Sequence, residues 1–156
     1  MNREHCYWLL KSEPTSYSID HLKRDKKTPW TGVRNYRARN FMRDDMQKGD
    51  LCLFYHSNAD EIGIAGVATV ASAPYADPTQ FEKASHYFDE GSTKESPRWQ
   101  LVDIAFVRKF SRVIPLIELK ADPALAGMMV TEKGSRLSVQ PVSQKHFQHI
   151  VDDLAD

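Results

Sequence analysis

The chain has 156 residues, 41% apolar and 27% charged, a composition typical of one globular domain that excludes disordered and collagen-like chains. Its net charge is zero, and its two cysteines form no CxxC pair, so neither a disulfide framework nor a zinc ribbon is expected. We therefore expect a single domain over residues 1–156, with no membrane span and no secretion signal. The expected location is the cytoplasm, or the nucleus in a eukaryote.

The first third of the chain predicts one strand and two helices. Cys6–Lys11 alternates as a strand with two apolar faces. Ser18 is a typical N-cap for a short helix that extends through Arg24. A second helix is predicted after Asn35, and its apolar stripe consists of Ala38, Phe41, Met42 and Met46.

The middle of the chain is rich in strand signals. Leu51–His56 and Ile64–Ala71 flank a polar loop and predict a hairpin. The Pro-containing stretch Ala73–Pro97 predicts a long irregular excursion whose aromatic residues pack against the domain. Trp99–Phe110 is the longest predicted strand, and Asp103 within it needs a polar partner.

The C-terminal part predicts two helices around a last strand. The first helix lies near Pro115–Lys120, and the strand Arg136–Gln140 is ended by Pro141 at a sheet edge. Ser143 then caps a helix whose apolar stripe is Phe147, Ile150, Val151 and Leu154. Several short strands with a few helices predict a small mixed barrel, because closure removes exposed sheet edges.

Charge and aromatic residues are concentrated in one segment. Between Lys23 and Lys48 there are nine Lys and Arg residues and three acids, a charge of about +6 that leaves about −6 elsewhere. Such a segment is either a solvated helix surface or a contact surface for an anionic partner. Residues 30–40 also supply an indole, a phenol, two amides and three guanidiniums. Because a flipped base needs aromatic faces, edge-reading groups and phosphate-binding cations, these interleaved groups favour the second interpretation.

Other sites lack their sequence signatures. There is no HExxH, P-loop, GxGxxG or GxSxG motif, so no metal and no cofactor is expected. Two further segments each allow two interpretations. Trp30 is either a core tryptophan or part of a binding-site lining. Tyr55, His56 and Ser57 form either a satisfied barrel rim or a polar cavity mouth.

Seven short motifs occur in an order that resembles the EVE domain family and together cover almost the whole chain. They are WLLKSEP at 8–14, WTGVRNY at 30–36 followed by ARN at 38–40, FYHSN at 54–58, GIAG at 63–66, TQF at 79–81, PRW at 97–99 with VD at 102–103, and RLSVQP at 136–141. The resemblance implies an α+β fold, a PUA-like mixed β-barrel with a few short flanking helices, related to the YTH and ASCH domains.

The resemblance also implies a function, which is recognition of a flipped, modified base in a pocket of the barrel. The base would be a methylated or otherwise modified cytosine or adenine in DNA, or a modified base in RNA. The expected ligand-binding residues are Ser12, Trp30, Val33, Asn35, Tyr55, His56 and Ser57. The expected contacts to the nucleic-acid backbone are Lys11, Arg34, Arg39 and Arg43. Trp99 is expected to be a core anchor, and no catalytic residue is expected.

Two alternatives remain open at this level. ASCH relatives include amidohydrolases that act on modified nucleosides with a Lys, a hydroxyl and a Glu, residue types that Lys11, Ser12 and Glu13 supply. Adjacent residues at a strand end point in different directions, and Glu13 should keep Lys11 charged, so binding is favoured over catalysis. The second alternative is a scaffold domain with a vestigial pocket. The oligomeric state is not predicted.

Overall fold

The computed structural model describes residues 6–134 and 136–155. The strands are β1 (Tyr7–Ser12), β2 (Lys27–Pro29), β3 (Leu51–His56), β4 (Gly63–Val70), β5 (Tyr75–Ala76), β6 (Gln100–Leu101), β7 (Asp103–Pro115) and β8 (Val139–Val142). The α-helices are α1 (Ile19–Asp25), α2 (Tyr36–Asn40), α3 (Leu116–Ala121) and α4 (Gln144–His149). Short 3₁₀ turns cover Pro78–Phe81, Pro123–Leu125 and Met129–Thr131.

Six strands form one curled sheet, in the order β2-β7-β4-β3-β1-β8. β1 and β3 are parallel and the other neighbouring pairs are antiparallel, so the predicted mixed PUA-like α+β sheet is confirmed. Complete closure is not seen among the described strands, because β2 and β8 each pair with one neighbour. Both edge strands are short and contain a proline, Pro29 or Pro141, which limits further pairing.

Apolar side chains pack on both faces of this sheet, as the pattern of the first strand predicts. Leu9 and Leu10 are both fully buried, in different clusters. α1 and α2 cover the cluster that contains Leu10, whereas α3 and α4 cover the one that contains Leu9. The sheet is therefore a central layer between two groups of short helices.

The predicted helix starts are confirmed. The side chains of Ser18, Asn35 and Ser143 accept hydrogen bonds from backbone N–H groups in the first turns of α1, α2 and α4. α2 and α4 each continue into a π-helical turn, Phe41–Asp45 and Ile150–Leu154, which extends the apolar stripes. No helix in the described ranges is long and apolar enough to cross a membrane.

Two predicted strands are wrong in extent. The strand Trp99–Phe110 divides at Val102, whose carbonyl accepts a hydrogen bond from the Trp30 N–H at 3.0 Å, and its second part continues to Pro115. The last strand begins at Val139 instead of Arg136 and includes Pro141. Proline is tolerated inside this strand because the strand lies at the sheet edge.

The excursion between Ala73 and Pro97 is irregular but packed, as predicted. Gln80 is fully buried, and its amide donates to the carbonyls of Asp77 and Trp99. Asp103 has the polar partner that its position requires, since the Tyr75 hydroxyl donates to its carboxylate. The excursion is thereby fixed beside the sheet, where it forms one wall of the cleft described below.

Candidate functional site

A cleft of about 1350 Å³ opens where the end of β1 meets the loop of residues 30–34 and the excursion. Six residues predicted from the sequence line it, namely Lys11, Ser12, Trp30, Val33, Arg34 and Ser57. Further lining residues that sequence reasoning missed include Tyr17, Asn58, His86, Tyr87 and Arg136. The cleft combines aromatic rings, hydroxyl groups and cations, which are the groups that bind nucleobases and their phosphates.

Trp30 belongs both to the core and to the cleft. Its side chain is 8% exposed and packs edge-on against Phe54, with ring centroids 5.6 Å apart at 80°. The Tyr17 ring also packs edge-on against Trp30, with ring centroids 6.4 Å apart. Each of the two interpretations of Trp30 therefore describes part of its environment, and its ring forms a rigid apolar lining surface.

Gly32 allows Tyr87 to close one wall of the cleft. Its φ is +87°, and a Cβ atom at this position would lie 2.6 Å from the Tyr87 ring. Only glycine combines this backbone conformation with such a close approach at low cost. The Tyr87 ring therefore lies directly on the loop of residues 30–34.

Arg34 fixes this wall by hydrogen bonds from all five of its N–H groups. Nη1 donates to the Val33 carbonyl at 3.0 Å and the Asp77 carboxylate at 3.1 Å, and Nη2 donates to the Thr79 hydroxyl at 3.1 Å and the Tyr87 carbonyl at 2.8 Å. Nε also donates to the Tyr87 carbonyl, at 3.2 Å. All five donors are thus used within the protein and position this wall, while the phosphate contact expected of Arg34 stays a prediction.

Asp77 is the buried anion of this arrangement, at 1% exposure. Burial alone would raise the pKa of Asp77, but hydrogen bonds from Thr79, Gly32 and Arg34 outweigh it and hold the pKa below its usual value. The ionised carboxylate thus links the loop of residues 30–34 to the excursion. Sequence reasoning missed it, although Asp before Pro-Thr is a typical signal for capping a short helical turn.

The polar side of the cleft follows the end of β1. The Ser12 hydroxyl donates to the Tyr17 carbonyl at 2.6 Å, and the Ser12 carbonyl accepts from the Ser57 N–H at 2.9 Å. Asn58 donates to the Glu13 carboxylate at 3.3 Å. These contacts hold hydroxyl and amide groups at the rim.

Lys11 lies in a partly buried position beside Tyr55. Its ammonium lies 5.7 Å from the centre of the Tyr55 ring, and burial lowers the pKa of Lys11 below its usual value. Because β1 ends at Ser12, the strand alternation that would place Glu13 on the same face as Lys11 does not extend to Glu13. The Glu13 carboxylate accepts a hydrogen bond from Asn58. Burial, and not a contact with Glu13, is therefore the cause of the shift in the Lys11 pKa.

Three other predicted ligand-binding residues do not line the cleft. Asn35 accepts a hydrogen bond from the Ala38 N–H at 3.0 Å as the cap of α2. Tyr55 packs in the core cluster that contains Leu9, and burial raises the pKa of Tyr55 to about 12. His56 accepts from the Ile19 N–H at 3.1 Å, and burial lowers the pKa of His56, so the neutral ring is a structural acceptor beside a separate cleft of about 500 Å³.

The two remaining predicted backbone contacts also lie outside the cleft. Arg39 donates to the Arg98 carbonyl at 2.7 Å and to the Asn40 side chain. Arg43 is exposed and pairs with Asp44 at 2.7 Å. Trp99 is buried, as expected of a core anchor. Among the described residues, no group of three or more His, Cys, Asp or Glu side chains is arranged to hold a metal ion.

Comparisons with known proteins give consistent relatives. The EVE domain model matches residues 6–153. Human thymocyte nuclear protein 1 is 44% identical over an alignment of 163 positions, which covers 93% of this chain and 72% of that protein. A crystal structure of the human protein in complex with 5-methylcytosine-containing DNA has a TM-score of 0.87, 41% identity, and coverage of 94% of this chain and 95% of that one. A protein from Pseudomonas syringae has a TM-score of 0.90 and 46% identity, covering 93% and 97% of the respective chains.

Proposed function

This chain belongs to the EVE domain family, and on that premise we propose that it binds DNA containing a modified base, which enters the cleft between Trp30 and Tyr87. The observation that carries the proposal is the cleft itself, a large opening with rigid aromatic walls and a hydroxyl-rich rim. The human relative was crystallised with 5-methylcytosine-containing DNA, which makes a modified cytosine the first ligand to test.

Base binding would use the two aromatic sides of the cleft. A flipped base gains stacking energy on flat rings, and Trp30 and Tyr87 are both held in place before a ligand arrives. Val33, which is 6% exposed, supplies an apolar surface suited to a methyl group. Ser12 and Ser57 are the groups proposed to read the polar edge of the base, Ser12 as an acceptor because its hydroxyl proton is donated to the Tyr17 carbonyl.

Phosphate binding would use cations at the rim. Arg136 is exposed and lines the cleft, which makes it a contact that the sequence-based site omitted. Lys11 lines the cleft from β1, and an anion placed beside its ammonium would offset the effect of burial on the Lys11 pKa. Arg39 and Arg43 remain proposed contacts for the flanking backbone, outside the cleft.

A second candidate function rests on the residues at the end of β1. Lys11, Ser12 and Glu13 all line the cleft and supply the residue types of an amidohydrolase site, and burial lowers the pKa of Lys11, the direction that a general base requires. The Ser12 hydroxyl, however, donates to the Tyr17 carbonyl, and Glu13 is bonded to Asn58. The three groups are thus engaged with different partners, so we favour binding over an amidohydrolase reaction.

Tyr87→Ala tests whether the cleft binds the base. We expect this variant to bind a strand with one 5-methylcytosine more weakly by about 1–3 kcal/mol, the value of one base–aromatic stack, while remaining folded. Phe88→Ala is the matched control, because Phe88 is 38% exposed and Tyr87 is 39% exposed, but only Tyr87 lines the cleft. Equal affinity of Tyr87→Ala and the wild type would place the base elsewhere.

A further inference from the structure

A continuous series of stacked aromatic rings and guanidinium groups runs from the cleft wall to the outer surface of α2. The Arg34 guanidinium lies 5.4 Å from the centre of the Tyr87 ring and 5.3 Å from that of Trp99. Trp99 stacks on Tyr36 at 4.9 Å, with 22° between the ring planes, and the Arg39 guanidinium is 4.8 Å from the Tyr36 ring. This series of five side chains, the aromatic ladder, connects the cleft to a surface that does not line it.

The outer end of the aromatic ladder is an exposed ring on a rigid support. Tyr36 is 54% exposed although Trp99 stacks against one side of it. Trp99 is itself 6% exposed, and its indole N–H donates to the Asp89 carboxylate at 2.7 Å. A ring held in this way loses little conformational entropy when a ligand stacks on its open side.

The charge beside Tyr36 suits a phosphate. Arg39 donates to the carbonyl oxygen of Arg98 and the amide oxygen of Asn40, both of which are uncharged. Burial lowers the pKa of Arg39, the positive charge of Arg43 acts in the same direction, and Asp44, which is paired with Arg43, acts against them. An anion placed beside Tyr36 would be stabilised by the Arg39 guanidinium, whose hydrogen-bond partners carry no charge.

We propose that Tyr36 and Arg39 form a second nucleotide subsite, which stacks an unpaired base flanking the modified one and holds its phosphate. This inference rests on the proposed function, because the aromatic ladder reaches the cleft through Arg34 and Tyr87. A nucleobase is the occupant that fits, since it combines a flat π face with a linked phosphate. Because every base has such a face, the subsite recognises the flanking base with little sequence preference.

The test combines variants of Tyr36 with two single-stranded DNA probes. Each probe contains one 5-methylcytosine, and in the second probe abasic sites replace the nucleotides that flank it. Tyr36→Ala should bind the complete strand roughly 5- to 150-fold more weakly than the wild type, the equivalent of one lost stack. On the abasic-flanked strand the two proteins should bind equally, and Tyr36→Phe should bind both probes as the wild type does, because the stacking ring remains.

Two results would overturn the subsite. An equal loss on both probes would mean that Tyr36 acts through Trp99 on the shape of the cleft, and no loss on either probe would mean that Tyr36 contacts no base. The proposed function fails by a different result. If the wild type binds methylated and unmethylated strands equally while the Tyr36 effect still depends on the flanking bases, the subsite stands and modified-base recognition does not.

Discussion

Replacing Arg34 with alanine should destabilise the cleft wall. Breaking a buried ion pair costs about 3–5 kcal/mol when one charge is left unpaired. Here the Arg34 side chain is 22% exposed, and Asp77 keeps its hydrogen bonds from Gly32 and Thr79. We therefore expect a loss of about 2–3 kcal/mol in the free energy of unfolding, or a fall in Tm of roughly 4–12 °C for a domain of this size.

Urea denaturation and the salt dependence of DNA binding together separate this role from a phosphate contact. Arg34→Ala should weaken binding to the methylated strand with little change in the slope of log affinity against log salt, whereas a lost phosphate contact lowers that slope by about one. Arg43→Ala is the matched control, because its exposed pair with Asp44 should leave unfolding unchanged. An Arg34→Ala protein of wild-type stability with a reduced slope would refute the positioning role.

Three further predictions address the cleft wall, the pH dependence and catalysis. Gly32→Ala should lower the free energy of unfolding by about 1–3 kcal/mol, because position 32 has a positive φ. The added Cβ atom should also collide with the Tyr87 ring, and Tyr87→Ala in the same chain should relieve that part of the loss. An unchanged free energy of unfolding in urea denaturation would contradict the described wall. The two ring nitrogens of His149 form hydrogen bonds with the carboxylates of Asp122 at 2.7 Å and Asp153 at 2.8 Å. These hydrogen bonds, above all the one with Asp122, raise the pKa of His149 above 6.5. The protonated His149 should stabilise the fold fully below pH 6.5, and this stabilisation should decline as the pH rises through the raised pKa. The difference in free energy of unfolding between the wild type and His149→Gln should therefore become smaller as the pH rises. A difference that does not change with pH would contradict this prediction. Prolonged incubation with N-acylated and N-alkylated nucleosides should yield no product by chromatography, whereas multiple turnovers abolished by Lys11→Ala would favour the amidohydrolase.

Local chemistry made much of the fold predictable. The caps at Ser18, Asn35 and Ser143 and the apolar stripes behind them depend on residues within one or two helical turns. Both faces of β1 were correctly predicted to be buried, because the alternation of its side chains has no polar face. Strand ends were less predictable, since the break at Val102 depends on a hydrogen bond from Trp30, a residue distant in the sequence.

The candidate site was predictable only where the motif residues lie at the cleft. Ser12, Trp30, Val33 and Ser57 line it, although their contact with a ligand stays a prediction. Tyr55 packs in the core cluster that contains Leu9, because successive residues of a strand point to opposite faces of the sheet. A short motif does not reveal which face of the strand points to the cleft.

The role of Arg34 depends on distant partners. Asp77 and Tyr87 lie in an irregular segment without periodicity, so no sequence pattern connects them to Arg34. The positive φ of Gly32 is likewise explained only once Tyr87 is placed against it. Long-range polar contacts of this kind therefore require the three-dimensional structure.

The most direct measurement is equilibrium binding of the wild-type protein to DNA and RNA oligonucleotides that are identical except for one base, which is either unmodified or carries one modification. We expect a DNA strand with a particular modified base, 5-methylcytosine being the first to test, to bind more tightly than its unmodified counterpart at the same salt concentration. Equal affinities across all the oligonucleotides, with only a common dependence on salt, would contradict it, because binding would then depend on the phosphate backbone alone.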